Sequence, residues 1–270
     1  MGGSSEKILN EFEEKPKSKK FTRERLSTGI KKLDEYLACG IPEGSWIFIA
    51  GEPGTGKTII CLHIAYANLK EGLDVIYVTT EQPFRDLIEQ ASQFGMKLNN
   101  YSEGKDKLLH IIDMFNLYRR AWELKKEGVA KVIDPLSPDH LINYIRDTCN
   151  DKQIQNPLII IDSLSAFWVD KPAMARRITY RMKLRLSRIR PTVIGTLQYA
   201  MTTGASFGFG AEHIADGIIQ LYLEPIERTK EIRRWGIIKK MRLTNHYKRA
   251  FEYDIKDGKG IIITPLERVP

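Results

Sequence analysis

The chain has 270 residues, of which 42% are hydrophobic and 28% are charged, a composition typical of a globular protein with a sizeable core. Its 42 Lys and Arg residues exceed its 34 Asp and Glu residues, and the net charge of +8 favours negatively charged partners without requiring one. The three cysteines include no C-x-x-C pair, which argues against a zinc site or a disulfide framework. No apolar run approaches the roughly 18 residues that would span a membrane, so we expect a cytoplasmic protein.

The first residues differ in composition from the rest of the chain. Residues 1–21 are polar and rich in Lys and Glu, and they contain too few apolar groups to pack. They predict a flexible tail, followed by a single domain over residues 22–270. No repeat of roughly 20 to 50 residues is visible, so a tandem duplication is not expected.

Apolar runs alternate with helical patterns over most of this domain. Strands are predicted at residues 46–50, 75–78, 108–114, 158–161 and 192–197. Helices are predicted to end near residue 70 and to cover residues 84–94 and 173–190, with further helices within 116–151. Strands that alternate with helices predict an α/β fold, in which helices flank a mostly parallel central sheet on both faces.

The pattern changes after residue 218 to closely spaced strand-like runs. These runs lie at residues 218–223, 235–243, 250–255 and 260–264. Asp257 and Gly258 form a turn between the last two, so we expect C-terminal antiparallel strands that extend the sheet.

A phosphate-binding loop follows the first strand. It fits the pattern G-x-x-x-x-G-K-[ST] with Gly51, Glu52, Pro53, Gly54, Thr55, Gly56, Lys57 and Thr58. Glycines let successive backbone N–H groups surround the β-phosphate, and the N-terminus of the next helix adds the positive end of its dipole. Lys57 is predicted to reach the β- and γ-phosphates, and the Thr58 hydroxyl to bind Mg²⁺. The loop lies between a strand and a helix, as the motif requires, and therefore predicts ATP and Mg²⁺ binding.

Two carboxylates are candidates for the chemistry at the phosphates. Asp162 closes a buried strand and is predicted to bind Mg²⁺ through its water shell, although such a residue can also cap the next helix. Glu81 follows the second strand at the same sheet edge and is the candidate general base. The alternative is that Glu81 supports the N-terminus of the helix that begins at residue 84. The guanine signature N-K-x-D is missing, which favours ATP over GTP.

An ordered set of motifs resembles KaiC and RadA/RecA-type ATPases. It comprises L-S-T-G-I-K-K-L-D at 26–34, G-I-P-E-G at 40–44, the phosphate loop, Y-V-T-T-E-Q at 77–82 and I-D-S-L-S at 161–165. The resemblance covers about residues 22–268. It implies a RecA-like P-loop ATPase fold in a single-domain relative, similar to archaeal RadA paralogues linked to recombination and repair. Glu212 and His213 stand where KaiC carries its autophosphorylated Ser-Thr pair, so a circadian autokinase is not expected.

The resemblance also implies roles for two glutamines. KaiC proteins have two adjacent glutamates after the second strand; Glu81 keeps the first, but Gln82 replaces the second. Slow hydrolysis with Glu81 as the base is therefore implied. Gln198 stands where RecA-like proteins have a glutamine that contacts the γ-phosphate and relays the nucleotide state to a DNA-binding loop. A surface glutamine at a strand end is the alternative.

Lys240 and Arg242 match a segment with which one KaiC subunit contacts the ATP of its neighbour. The match implies a homo-oligomer with ATP at its subunit interfaces, in which both cations act in trans. Leu243 replaces the family's glycine, which disfavours close approach of the subunits. A Lys/Arg pair on a solvated edge strand is the alternative.

Two features indicate DNA as a partner. The predicted helix at 173–190 carries no acidic residue from 176 to 190, and its candidate phosphate contacts are Arg177, Arg181, Arg185 and Arg188. Acidic neighbours in three dimensions, or another subunit, would balance this helix in the alternative interpretation.

The second feature is the Gly-rich segment 201–210, which lies where RecA-like proteins hold single-stranded DNA. Its Phe207 and Phe209 are predicted to stack on bases, each contributing about 1 to 3 kcal/mol, or else to pack against the protein. Phe167 and Trp168 are a second aromatic pair, for which a core position is favoured.

Three functional hypotheses follow. The first is an ATPase that binds single-stranded DNA and modulates homologous recombination or repair, with a RadA-type recombinase as a candidate partner. The second is a KaiC-like signalling or scaffold ATPase that regulates protein partners without DNA. The third, a metabolic P-loop kinase, lacks a visible acceptor site.

Overall fold

A mixed β-sheet flanked by helices forms the centre of the molecule. The structure is a computed structural model that describes residues 24–103, 107–126, 136–198, 210–224 and 230–264. The predicted tail at 1–21 lies outside these residues, as do Phe207 and Phe209.

The strands and helices have the following bounds. The strands are β1 (Arg25–Leu26), β2 (Ile41–Pro42), β3 (Trp46–Gly51), β4 (Val75–Thr79), β5 (Leu109–Asp113), β6 (Leu158–Asp162), β7 (Thr192–Gln198), β8 (Gly217–Leu223), β9 (Arg234–Met241), β10 (Phe251–Lys256) and β11 (Gly260–Thr264). The helices are α1 (Lys31–Tyr36), α2 (Lys57–Lys70), α3 (Phe84–Gln93), α4 (Met114–Lys126), α5 (Pro138–Lys152), α6 (Ala175–Leu186) and α7 (Ala211–Ile214).

The central sheet has the strand order β11-β10-β9-β8-β3-β7-β6-β4-β5. Strands β8, β3, β7, β6, β4 and β5 are parallel to their neighbours in this run, while β9, β10 and β11 pair antiparallel. Strands β1 and β2 form a separate antiparallel pair. The predicted α/β class is therefore confirmed, including its C-terminal antiparallel strands.

Strand β3 is apolar throughout because both of its faces are buried. Its side chains alternate between the two faces of the sheet, so Ile47 and Ile49 join the core beneath α2 and α3. Trp46, Phe48 and Ala50 join the core beneath α5 and α6. Because helices cover both faces, every residue of the strand is buried. The phosphate loop therefore starts from a rigid, fully packed strand.

The helix predicted at 173–190 is shorter than expected. It consists of a 3₁₀ turn at Pro172–Met174, α6, and a second 3₁₀ turn at Ser187–Ile189. Arg190 has φ 47°, in the left-handed region, and it precedes Pro191, which disfavours a helical conformation in the residue before it. The helices predicted within 116–151 are α4 and α5. In the described ranges, no helix combines the length and apolarity needed to cross a bilayer.

Candidate functional site

The phosphate loop connects β3 to α2 through two glycines in left-handed conformations. Gly54 has φ 81° and Gly56 has φ 84°, values that side chains disfavour. A Cβ atom on Gly56 would also lie 2.9 Å from Cδ1 of Ile255. The Thr55 hydroxyl donates to the Glu52 carbonyl at 2.7 Å and closes the turn. The loop thus has the backbone shape that a phosphate cradle needs, ending at the N-terminus of a 14-residue helix.

The C-terminal strands support this loop from behind. The Tyr253 hydroxyl on β10 donates to the Thr55 carbonyl at 2.6 Å, and Arg234 Nε on β9 donates to the Gly54 carbonyl at 3.1 Å. Tyr253 is 2% exposed, and burial raises the pKa of its phenol. Sequence reasoning did not identify Arg234 or Tyr253 as neighbours of the loop. No local signal could have done so, because both residues are more than 170 positions away from it along the chain.

Lys57 lies across the loop that it follows. Its Nζ donates to the carbonyl of Gly51 at 2.8 Å and to that of Glu52 at 3.0 Å. Burial lowers the pKa of this amine, and the carboxylates of Asp162 and Glu81 oppose the shift. The amine is therefore held over the loop by two weak acceptors, which phosphate oxygens can replace.

Asp162 is held by two hydroxyl groups at the end of β6. Thr196 Oγ1 donates to its Oδ1 at 2.6 Å, and the Tyr77 hydroxyl donates to its Oδ2 at 3.3 Å. The following 3₁₀ helix is capped by Ser163, whose side chain accepts from Ser165 N. The capping role considered for Asp162 therefore falls to Ser163. Asp162 is 7% exposed, and these hydrogen bonds fix its carboxylate at the sheet edge.

Glu81 lies beside Gln198 at the mouth of the same site. Gln198 Nε2 donates to Glu81 Oε1 at 2.5 Å. Although Glu81 is exposed as a residue, partial desolvation of its carboxylate raises its pKa, with a further contribution from Asp162; Ser163, Lys57 and Gln198 oppose the shift. The N-terminal N–H of α3 at Phe84 donates instead to Asp113 at 3.0 Å. Asp113 thus supplies the helix support that was the alternative role of Glu81.

One cavity of about 430 Å³, which we call the phosphate-site cavity, brings these groups together. Its lining residues are Pro53, Gly54, Gly56, Lys57, Thr58, Ile59, Glu81, Gln90, Asp162, Gln198 and Ile255. Gln90 was not predicted. Its buried side-chain Oε1 has no hydrogen-bond partner within the described part of the chain, which suits a group that pairs with a ligand. The predicted ATP and Mg²⁺ residues of the phosphate loop, Asp162, Glu81 and Gln198 therefore lie at one edge of the sheet.

Lys240 and Arg242 lie at the other end of the same strands. Lys240 pairs with Ile218 at the start of β8, and its Nζ donates to the Ala215 carbonyl at 2.5 Å. Arg242 Nη1 donates to Asp216 at 3.2 Å, and its side chain is 58% exposed. Neither cation lines the phosphate-site cavity of its own chain.

Acidic side chains partly neutralise the predicted DNA face on α6. Asp139 of α5 pairs with Arg181 at 3.2 Å and with Arg185 at 2.6 Å. Lys183 pairs with Asp216 at 2.6 Å. The alternative of acidic neighbours in three dimensions therefore applies to Arg181 and Arg185, because α5 packs beside α6 and supplies an acid that the helix itself lacks.

The remaining predicted contacts differ in their environment. Arg177 and Arg188 are exposed on α6 and on the 3₁₀ turn that follows it. Phe167 is 6% exposed and Trp168 is 2% exposed, so both belong to the core, as favoured.

Comparison with known proteins agrees with this architecture. The family model described as "ATPase: KaiC" matches residues 26–268. A UPF0273 protein of Methanopyrus kandleri is 37% identical over 245 residues, covering 90% of this chain and 92% of the relative. A UPF0273 protein of Thermotoga maritima is 34% identical over 244 residues, covering 90% and 97%.

A solved structure shows the same fold. The crystal structure of a KaiC-like protein from Pyrococcus horikoshii is similar with a TM-score of 0.72 at 26% identity, covering 90% of this chain and all of that one. The predicted RecA-like fold is thus confirmed. The phosphate loop, Asp162 and Glu81 all lie within residues 26–268, which the family model matches. The chain belongs to the KaiC family of ATPases.

Proposed function

We propose that the chain binds ATP with Mg²⁺ in the phosphate-site cavity and hydrolyses it, with Glu81 as the general base. The observation that carries this proposal is the placement of Lys57, Asp162 and Glu81 around one cavity at the end of the parallel strands. A carboxylate with a raised pKa is the stronger base, and Gln198 fixes its position. Because Gln82 replaces the family's second glutamate, we expect slow turnover.

The residues present fit Mg²⁺ binding. Thr58 and Asp162 offer one hydroxyl and one carboxylate, the oxygen ligands that Mg²⁺ uses together with substrate phosphates and water. No group of three or more His, Cys, Asp or Glu side chains suited to a metal occurs in the described ranges. Mg²⁺, when bound, supplies positive charge to the β- and γ-phosphates.

Two substitutions test the hydrolysis proposal. Lys57→Ala should abolish productive ATP binding, and Glu81→Gln should preserve binding while reducing turnover by ~10² to 10⁴. Glu89→Gln, which removes an exposed carboxylate from α3, is the matched control and should hydrolyse ATP like the wild type. Near-normal turnover in Glu81→Gln would remove Glu81 from the mechanism.

We also infer that Lys240 and Arg242 complete the ATP site of a neighbouring subunit. Their position at the far end of the sheet supports this inference, because they are too distant to contact the phosphate loop of their own chain. The exposed side chain of Arg242 is available to a partner, and Asp216 fixes its direction. A homo-oligomer with shared sites follows.

A second proposed function is the binding of single-stranded DNA in recombination or repair, with a RadA-type recombinase as a candidate partner. Its support is the charge around α6. Residues 176–190 carry seven cations, whereas Asp139 and Asp216 are the acids that pair with them among the described residues. The remaining excess of positive charge suits a phosphate backbone.

Hydrolysis measured with and without single-stranded DNA, at low and moderate salt, tests the second function. Lys57→Ala serves as the blank. Stimulation that fades as salt rises is the expected result, because phosphate contacts release counterions. If hydrolysis is indifferent to DNA and the protein does not retain DNA, the signalling or scaffold function replaces this proposal.

A further inference from the structure

We propose that one row of side chains on α6 and the 3₁₀ turn after it is the contact surface for single-stranded DNA, with Tyr180 as a platform on which a base stacks. The row consists of Arg176, Tyr180, Leu184 and Arg188, and we call it the α6 row. Arg176, Tyr180 and Leu184 are four residues apart on the helix, so each is a surface neighbour of the next, and Arg188 follows in the 3₁₀ turn. The inference rests on the proposed DNA binding and names the surface that carries it.

The α6 row is exposed although its central members are apolar. Tyr180 is 58% exposed and Leu184 is 60% exposed. The core contacts of the helix come from other positions, among them Met182 and Leu186, which are at most 1% exposed. The core therefore does not account for an aromatic side chain at position 180, whereas a flat ring open to solvent can stack on any base.

Ion pairing distinguishes the arginines of the α6 row from Arg181 and Arg185 on the adjacent side of the helix. Arg181 and Arg185 are engaged by Asp139 on the side of α6 that faces α5. Within the described residues, Arg176 and Arg188 form no ion pair. The row thus has an available cation at each end, with Tyr180 and Leu184 between them. Phosphates at the ends and bases in the middle match this order of charge and apolar surface.

The chain connects the α6 row to the ATP site. Gln198, at the end of β7, donates to Glu81. Gly210 lies against Arg176, since a Cβ atom there would be 3.4 Å from both Cβ and Cδ of that arginine. Gly210 follows Gln198 by twelve positions in the sequence, so the first member of the row and the residue that holds the general base are close along the chain.

Binding of fluorescent oligothymidylate, with an abasic oligonucleotide of equal length, tests the inference by anisotropy. Tyr180→Ala should weaken oligothymidylate binding roughly 5- to 150-fold and leave abasic binding unchanged, because the lost interaction is with bases. Tyr180→Phe should keep wild-type affinity. Tyr144→Ala, which removes a tyrosine of similar exposure from α5, is the matched control.

The salt dependence of DNA binding by Arg188→Gln is a second test, and it does not require Tyr180→Ala to fold correctly. The substitution should reduce the slope of log affinity against log salt by about 0.7, the value of one phosphate contact on a single strand. Wild-type protein that binds no DNA would refute the proposed DNA function. Wild-type protein that binds DNA, with unchanged affinity and salt slope in these variants, would refute the α6 row alone. Altered oligomer size without altered DNA affinity would identify the row as a contact between proteins.

Discussion

Mixing two inactive variants tests whether each ATP site is shared between subunits. Gly51 pairs with Leu221 at the phosphate-loop end of β8, and Met241 pairs with Gly217 at the other end. These register positions are four residues apart along β8, or about 13 Å, and the phosphate loop and Arg242 each lie beyond them. A subunit therefore cannot apply its own Arg242 to its own ATP.

The separation of Arg242 from the phosphate loop predicts how much ATP hydrolysis is regained when two inactive variants are mixed. Glu81→Gln keeps the cation and loses the base, whereas Arg242→Ala keeps the base and loses the cation. If subunits mix at random in equal amounts, a complete site needs an intact Glu81 from one subunit and an intact Arg242 from its neighbour. About a quarter of the sites then become complete, whatever the number of subunits in a closed ring. We therefore expect about a quarter of wild-type turnover from two populations that are each nearly inactive.

The assay is Mg²⁺-dependent ATP hydrolysis at constant total protein while the fraction of one variant is changed. Shared sites give a curve with its maximum at equal amounts. A mixture of Lys57→Ala and Glu81→Gln is the control, because both lesions lie on the same cavity and no subunit carries a complete one. A straight line between the two pure variants, or full activity in Arg242→Ala alone, would refute the reasoning.

Three further predictions concern individual contacts. Gln198→Ala removes a donor that lowers the pKa of Glu81, so the acid limb of the kcat profile should move to higher pH; an unmoved limb would show that the two side chains do not interact during turnover. Burial lowers the pKa of His63 to about 4, and its Nε2 accepts from Ile261 N at 3.0 Å. The unfolded chain binds a proton at His63 more readily than the folded chain does, so the stability that His63 contributes is complete above pH 6.5 and is lost as pH falls towards 4, by about 1 to 3 kcal/mol. Denaturant titrations of wild type and His63→Gln at several pH values should differ in how steeply the free energy of unfolding changes with pH, and parallel curves would contradict this prediction. Asp139→Asn frees Arg181 and Arg185 from their ion pairs and should lower the free energy of unfolding by less than about 1 kcal/mol. It should increase affinity for single-stranded DNA several-fold, and weaker DNA binding would contradict a DNA-binding role for the positive charge on α6.

The core of the candidate site could be predicted because its parts are local or governed by topology. The phosphate loop is one continuous segment whose glycines specify its shape. Asp162 and Glu81 each follow a parallel strand, and the carboxyl ends of parallel strands meet at one edge of the sheet. Sequence order and strand direction were therefore enough to place them together.

Contacts between distant elements could not be predicted in this way. A helical pattern identifies the buried and exposed sides of α6 but not the helix that lies beside it, so the sequence left acidic neighbours as an alternative without naming Asp139 as the acid. The same limit explains Asp113, which supports α3 from the neighbouring strand β5. In both cases the partner was an acid on another element, and one sequence contains no record of which elements become neighbours.

The support of the phosphate loop by β10 determines when the site is finished during synthesis. All eight residues of the motif have been made once Thr58 leaves the ribosome. The hydroxyl that anchors Thr55 belongs to Tyr253, 198 residues later, and Ile255 packs on Gly56 from the same strand. A nascent chain, or a fragment truncated after β8, therefore contains the whole motif but lacks the Tyr253 and Ile255 contacts that support it. Intact sequence at the phosphate loop is consequently no guarantee of nucleotide binding in shortened relatives of this protein.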